Sequence, residues 1–390
     1  MTWTDELKKF TSLEEKEKFV YDLTDKEITK NNFKELLSIL TKIQGIWEDL
    51  STARLTKIFL KILDGIDVNK DTFQGLIFVY NGLIEWCVNK TLLRCELKRR
   101  LVHIYLVSGM YKECLDLIKE VVVIFKKFDD KLNLIRIFLY ESKVYYMLRN
   151  SEMARSALTA ARAMSVSVAC PAVLQAQIDI LNGMFLVDDG CFDSATGYFV
   201  ESIEGYIMDK ENEEGKKPLR YLILNKILNG RFEEINGIFN AKFIKKMGVT
   251  KETDDFISLL IKIGICAKNR DVIEYQKVLT SSADLLETDL FISKHLSYFF
   301  NRLFEKNIVK IIEPYSHVKI QFIAEKLCFD GGLIEDKLRV MILDKKINGI
   351  LDHKTQCLVL FEKKEISKGE FEKNVSVLAE YMEKFKTLAG

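Results

Sequence analysis

The sequence predicts an all-α protein: a right-handed solenoid of helical hairpins, then a small winged-helix module, then one terminal helix. Three observations carry this. Only three prolines (Pro171, Pro218 and Pro314) interrupt 390 residues, so long helices can run unbroken. A set of turn and packing residues recurs at steps of 40 or 41. After Lys310 the texture changes to short helical and strand-like runs.

The recurrence starts from the segment Tyr105 to Ile118. Gly109 supplies a turn between two helices, Tyr111 opens the second, the small Cys114 lets the pair approach closely, and Ile118 fills the groove to the next hairpin. That order is tetratricopeptide-like. The same slots fall on Arg149, Ser151, Ala154 and Leu158, then on Gly190, Phe192, Ala195 and Phe199. They fall again on Gly230, Phe232, Ile235 and Phe239, and on Arg270, Val272, Tyr275 and Leu279. A phase held through five hairpins marks a repeat array rather than accidental helical spacing. The second and fifth lack the glycine, and Ile235 and Tyr275 are large for the small slot, so these are degenerate repeats. Upstream, Phe33, Leu36, Leu37, Leu40 and Ile43 keep a helical spacing without the same slots. The polar run Asp209 to Pro218 reads as an exposed loop between the third and fourth hairpins.

Past Lys310, a helical pattern from Val318 to Cys328 precedes a turn at Asp330 and a second helix from Leu333 to Lys345. Ile347 to Asp352 and Cys357 to Phe361 flank a polar turn at His353 to Thr355, which completes a winged helix. Carboxylates at Glu335, Asp336 and Asp344 intersperse the basic residues of the second helix and would face phosphate in a DNA groove. The module is therefore expected to offer its short sheet, with Ile350, Leu358 and Leu360, to a protein neighbour. A final helix from Ile366 to Leu388 sets Phe371, Val375, Leu378, Met382 and Phe385 at alternating steps of four and three, a seam for partner helices.

Composition narrows the function. The 58 basic and 57 acidic side chains nearly cancel, leaving no global field for nucleic acid or an anionic membrane. Eight cysteines lack metal or redox spacing and read as buried thiols, and four scattered histidines make no hydrolase grouping. Asp67 to Asp71 begins like a calcium loop but has Thr72 at the glycine position and Phe78 at the glutamate position. No phosphate loop, nucleophile elbow or dinucleotide fingerprint occurs, so no catalytic residue, cofactor, metal or small-molecule ligand is expected. The charged first ten residues do not form a signal sequence, which points to the cytoplasm and nucleus.

Longer strings carry a family resemblance. Asp289 to Lys310, with His295-Leu-Ser-Tyr298 and Glu305-Lys-Asn-Ile308, leads into Ile312-Glu-Pro-Tyr-Ser316 and then Met341 to Asp352. This resembles a PCI domain, the helical-repeat and winged-helix module shared by the proteasome lid, the COP9 signalosome and a translation initiation factor. Asp129-Asp-Lys131, Ala157 to Arg162, Cys170-Pro171 and Glu204-Gly-Tyr206 point to the proteasome lid, with the equivalent signalosome subunit as the alternative. The likeness runs from Leu101 to Leu388; the first hundred residues share only helicity, and the Asp209 to Lys217 run and Gly331-Gly332 depart from it. The division it implies is residues 1–100 as N-terminal repeats, 101–287 as solenoid, 288–362 as PCI end helices and winged helix, and 363–390 as the C-terminal helix. The resemblance implies a non-catalytic scaffold holding lid, ATPase ring and core particle together in support of ubiquitin-dependent degradation. Its partners would be other lid subunits, an ATPase ring subunit and a core-particle alpha subunit, with the last helix in a shared bundle.

Overall fold

All five turn positions of the repeat are left-handed in the computed structural model. Gly109, Arg149, Gly190, Gly230 and Arg270 have φ of 79°, 60°, 78°, 77° and 60°. After each, the next N–H reaches back five residues to a carbonyl, from Met110 to Tyr105, Asn150 to Tyr145, Cys191 to Leu186, Arg231 to Lys226 and Asp271 to Cys266, at 2.8–3.0 Å. That bond closes a helix end and aims the next helix back along the first. Glycine adopts the geometry freely, whereas the two arginines hold it at a cost of about 1 kcal/mol each.

The structure describes residues 13–30, 32–46, 52–66, 72–88, 90–249, 254–352, 355–361 and 368–388. The Asp67 to Asp71 segment lies outside them. The chain divides into two units, residues 1–219 and 220–390. In the first, α1 (Leu13–Thr29), α2 (Phe33–Ile46), α3 (Thr52–Asp64) and α4 (Phe73–Trp86) precede three long hairpins. These are α5 (Thr91–Ser108) with α6 (Tyr111–Phe128), α7 (Lys131–Met147) with α8 (Ser151–Val166), and α9 (Ala172–Asp188) with α10 (Phe192–Met208). One buried cluster runs from Val20 through Leu40, Phe59, Val79 and Leu97 to Ile104. The expected division at residue 100 thus falls inside α5, whose apolar side chains belong to the same core as α1 to α4.

The small slots do what their size suggests. Cys114, Ala154 and Ala195 are fully buried, and polar bonds cross the three hairpins. The Cys114 thiol donates to the Val102 carbonyl at 3.5 Å, Ser142 Oγ to Ala154 at 2.9 Å and Ser202 Oγ to Ala176 at 3.0 Å. The polar run after α10 is shorter than expected. Asp209 accepts from the Val173 N–H at 3.2 Å, satisfying a free donor in the first turn of α9. Helix α11 (Lys216–Leu228) already includes Pro218. Proline is tolerated in a first turn because no N–H is needed there, so it begins a helix here instead of closing a loop.

The degenerate slots are accommodated by their neighbours in the second unit. The fourth hairpin's second helix breaks into α12 (Glu234–Ile238) and α13 (Lys242–Met247), along a stretch holding the weak helix formers Asn236, Gly237 and Asn240. Ile235 is only 5% exposed, and it fits because Gly264 faces it: a Cβ there would lie 3.3 Å from Ile235 Cδ1. Gly264 belongs to α14 (Asp255–Asn269), which turns into α15 (Val272–Ser281). Tyr275 is fully buried in the last small slot and donates its hydroxyl to the Leu296 carbonyl at 3.1 Å, which satisfies its own buried donor.

After α16 (Ala283–Thr288), the long α17 (Leu290–Ile312) leads into a winged helix. Its order is β1 (His317–Lys319), α18 (Ile320–Leu327), α19 (Gly331–Leu343), β2 (Gly349–Asp352) and β3 (Cys357–Leu360), followed by α20 (Lys368–Leu388). The sheet order is β1-β3-β2, all antiparallel. The sequence pattern read Val318 and Lys319 as helix. They form a strand instead, because Val318 pairs with Leu358 and its side chain completes the buried face, a pairing that local periodicity does not report. At Gly349 the strands β2 and β3 approach closely, since a Cβ there would stand 2.6 Å from the Val359 carbonyl oxygen. Gly349→Ala should therefore loosen the sheet by about 1–3 kcal/mol. Faster amide exchange at Val359 and Phe361 would report it; unchanged exchange would mean the strands shift without cost.

Candidate protein-interaction surfaces

The terminal helix presents an uncovered apolar surface. Val375, Leu378, Met382 and Phe385 are 49%, 65%, 64% and 71% exposed. Phe371 lies on the same helix, but its side chain is outside the described residues. Val377 and Tyr381, which the four-and-three spacing passes over, are also exposed, at 48% and 59%. At 100° per residue these six side chains span roughly 160° of the helix surface. A narrow seam suits one partner helix, whereas a face this wide needs at least two. Plotting every apolar residue by angle, instead of following one heptad seam, would have found Val377 and Tyr381 in the sequence.

The winged-helix sheet separates its three candidate residues. Leu358 is fully buried on the central strand, opposite Val318 and Leu351, and belongs to the module's own core. Leu360 is half-buried beside it. Ile350 is 57% exposed on the edge strand β2. The bond from the Phe361 N–H to the Asn348 carbonyl fixes the alternation, so Ile350 bonds inward to Val359 while the main-chain groups of Gly349 and Leu351 point away from β3. A neighbouring strand would pair there. Helix α19 shows three further exposed apolar side chains, Leu333, Val340 and Leu343, where a DNA reader would place cations. Arg339 on that face is paired to Asp336 and Glu335 at 3.0 and 3.1 Å.

Two side chains that could carry chemistry have shifted pKa values. Burial pushes the Cys114 thiol up to about 12, so it stays protonated and unreactive. Lys143 lies 5.9 Å from the Tyr140 ring centre, and desolvation, with Lys217 nearby, draws its ammonium down to about 8. The Glu214 carboxylate acts against that shift. Among the described residues no three His, Cys, Asp or Glu side chains are grouped to hold a metal ion. No described helix is long and apolar enough to cross a membrane.

The most informative buried carboxyl is structural. Asp179 in α9 is 6% exposed and accepts from Gln175 Nε2 at 3.2 Å. Burial raises it from 3.8 to about 6, and Glu201 adds to the rise against the Gln175 bond. Its folded value exceeds its unfolded one, so the cost of ionising it is absent below about pH 4 and complete above about pH 6. Asp179→Asn keeps an acceptor for Gln175 and should raise stability by up to about 3 kcal/mol at pH 7.5. Amide exchange in α9 and α10 at both pH values should show the gain vanish near pH 3.5; an equal gain at both would assign it to packing.

Hairpin repeats, a winged helix with an open sheet edge and an uncovered terminal helix define a helical-repeat protein of the PCI class. The PCI domain profile matches residues 279–362, and the profile of the 26S proteasome regulatory subunit RPN6 N-terminal domain matches residues 4–108. A 26S proteasome non-ATPase regulatory subunit 11 from Dictyostelium discoideum is 31% identical over 86% of this chain and 80% of its own length. The probable 26S proteasome regulatory subunit rpn6 of Schizosaccharomyces pombe is 29% identical over 89% and 82%. The RPN6 subunit of Saccharomyces cerevisiae is 30% identical over 80% and 72%. Among solved structures, a Rap protein complexed with competence and sporulation factor aligns at TM-score 0.45 and 14% identity over 83% of this chain and 99% of that one, a likeness too loose to bear on function. The chain belongs to the Rpn6, or non-ATPase regulatory subunit 11, family of 26S proteasome regulatory subunits. The N-terminal match corrects the expectation that the first hundred residues share only helicity with the family.

Proposed function

We propose that this chain is a non-catalytic scaffold subunit of the 26S proteasome regulatory particle lid. It holds the lid, the ATPase ring and the core particle together, and so supports ubiquitin-dependent degradation without cleaving anything itself. Membership of the Rpn6 family supports the assembly. The observation that carries the mechanism is the uncovered 160° face of α20, which roughly sets a bundle of three or more helices as its destination. The sheet edge at Gly349 and Leu351 adds main-chain pairing to a neighbour, and Ile350 packs beside it. The N-terminal repeats extend toward a core-particle alpha subunit and an ATPase subunit, in the cytoplasm and nucleus.

Affinity purification of the full-length tagged chain, with mass spectrometry of what accompanies it, tests this. Lid, ATPase and core-particle subunits are expected together. Signalosome subunits in their place would transfer the chain to that complex.

A further inference from the structure

The second unit carries a surface that the bundle helix and the sheet edge do not use. Between α17 and α19 lies a groove of about 390 Å³, lined by Tyr298, Arg302, Lys306, Val309, Met341 and Lys346, with Asn301 and Glu305 along its side. Two cross-links hold its walls: Lys337 Nζ donates to Asn301 Oδ1 at 2.9 Å and Lys346 Nζ to Glu305 Oε2 at 2.8 Å. The α17 wall repeats at helical spacing, with Tyr298, Arg302, Lys306 and Val309 on one face over three turns, a length that matches a short docked helix. Tyr298 is 66% exposed and Val309 38%.

The charges choose the occupant. Glu305 is engaged by Lys346, while Arg302 and Lys306 make no hydrogen bond or ion pair among the described residues. An apolar floor rimmed by two unpaired cations calls for apolar anchors flanked by carboxylates. Tyrosine and arginine are also the residue types that most often dominate binding energy when an interface covers them. Nucleic acid fits less well, because the floor is apolar and Asp344 stands beside the groove, 3.3 Å from Lys346.

We propose that this groove docks an acidic amphipathic helix of a neighbouring subunit. The proposal rests on the scaffold reading and specifies the chemistry of one of its contacts. Cross-linking in the assembled complex tests it, with Tyr298 replaced by p-benzoylphenylalanine in the full-length tagged chain. The expected product joins Tyr298 to a helical segment of another chain, with apolar residues at steps of three and four and acidic residues beside them. The double variant R302E/K306E should lower the yield of that product about tenfold, because the reversed charges oppose the carboxylates. Its melting should be unchanged, since neither side chain has a partner to lose. A cross-link to this chain's own α20, to a segment without acidic residues or to nucleic acid would overturn the proposal, as would an intact complex with no cross-link. A tagged chain that brings down no complex would instead sink the scaffold reading, and this proposal with it.

Discussion

Deleting residues 366–390 should leave a folded, helical chain that no longer incorporates into its complex. The described side chains on the α20 face are half to three-quarters exposed, so removing them takes little from the rest of the molecule. In a bundle the same six would each contribute about 1.5–3 kcal/mol of apolar burial, on the order of 10 kcal/mol before the costs of association. Point variants separate the helix from its apolar face. Leu378→Asp and Phe385→Asp keep a helix but set a carboxylate where the bundle core would be, and each should reduce co-purifying subunits at least tenfold. Circular dichroism and melting of the free chain should not change. Normal incorporation of the truncated chain would show that α20 serves no assembly role, leaving the sheet edge and the repeats to hold the complex.

The second large effect lies inside the third hairpin. Phe199 is fully buried in α10, and its ring lies against Gly183 of α9, where a Cβ would stand 2.5 Å from Cε1 and 2.8 Å from Cζ. Phe199→Ala should cost about 3–5 kcal/mol by opening a cavity between the helices. Gly183→Ala gives a sharper test because two effects oppose each other. Helix propensity alone favours alanine by about 1 kcal/mol, while forcing the ring aside costs about 1–3 kcal/mol. The close contact predicts net destabilisation. In a Phe199→Leu background the ring is gone and the propensity gain should return, a coupling that a double-mutant cycle reads directly. Repeat arrays do not unfold in one step, so the readout is amide exchange in α9 and α10 rather than a single melting point. A Gly183→Ala chain more stable than the parent would show that the ring yields freely.

Some of this architecture was legible residue by residue. The forty-residue phase located all five left-handed turns, including Arg149 and Arg270, because a turn between packed helices imposes the same backbone whichever residue occupies it. Cys114, Ala154 and Ala195 were found for the same reason, since close helix approach restricts side-chain volume locally. The compensations were not legible. Nothing near Ile235 in the sequence announces Gly264, and nothing near Val318 announces Leu358, because each pair meets only after the intervening chain has folded.

For function the division is similar. By itself the sequence determined that the chain is a helical-repeat protein with a PCI module, without a catalytic motif, ending in an amphipathic helix. Those properties follow from composition, period and contiguous strings. The tertiary structure decided which apolar residues are surface. It assigned Leu358 to the core and left Ile350 on an edge, added Val377 and Tyr381 to the face of α20, and brought Arg302 and Lys306 over an apolar floor that includes Met341. Periodicity tells which residues share a face of a helix or strand. Only the packing of other segments tells whether that face is already covered.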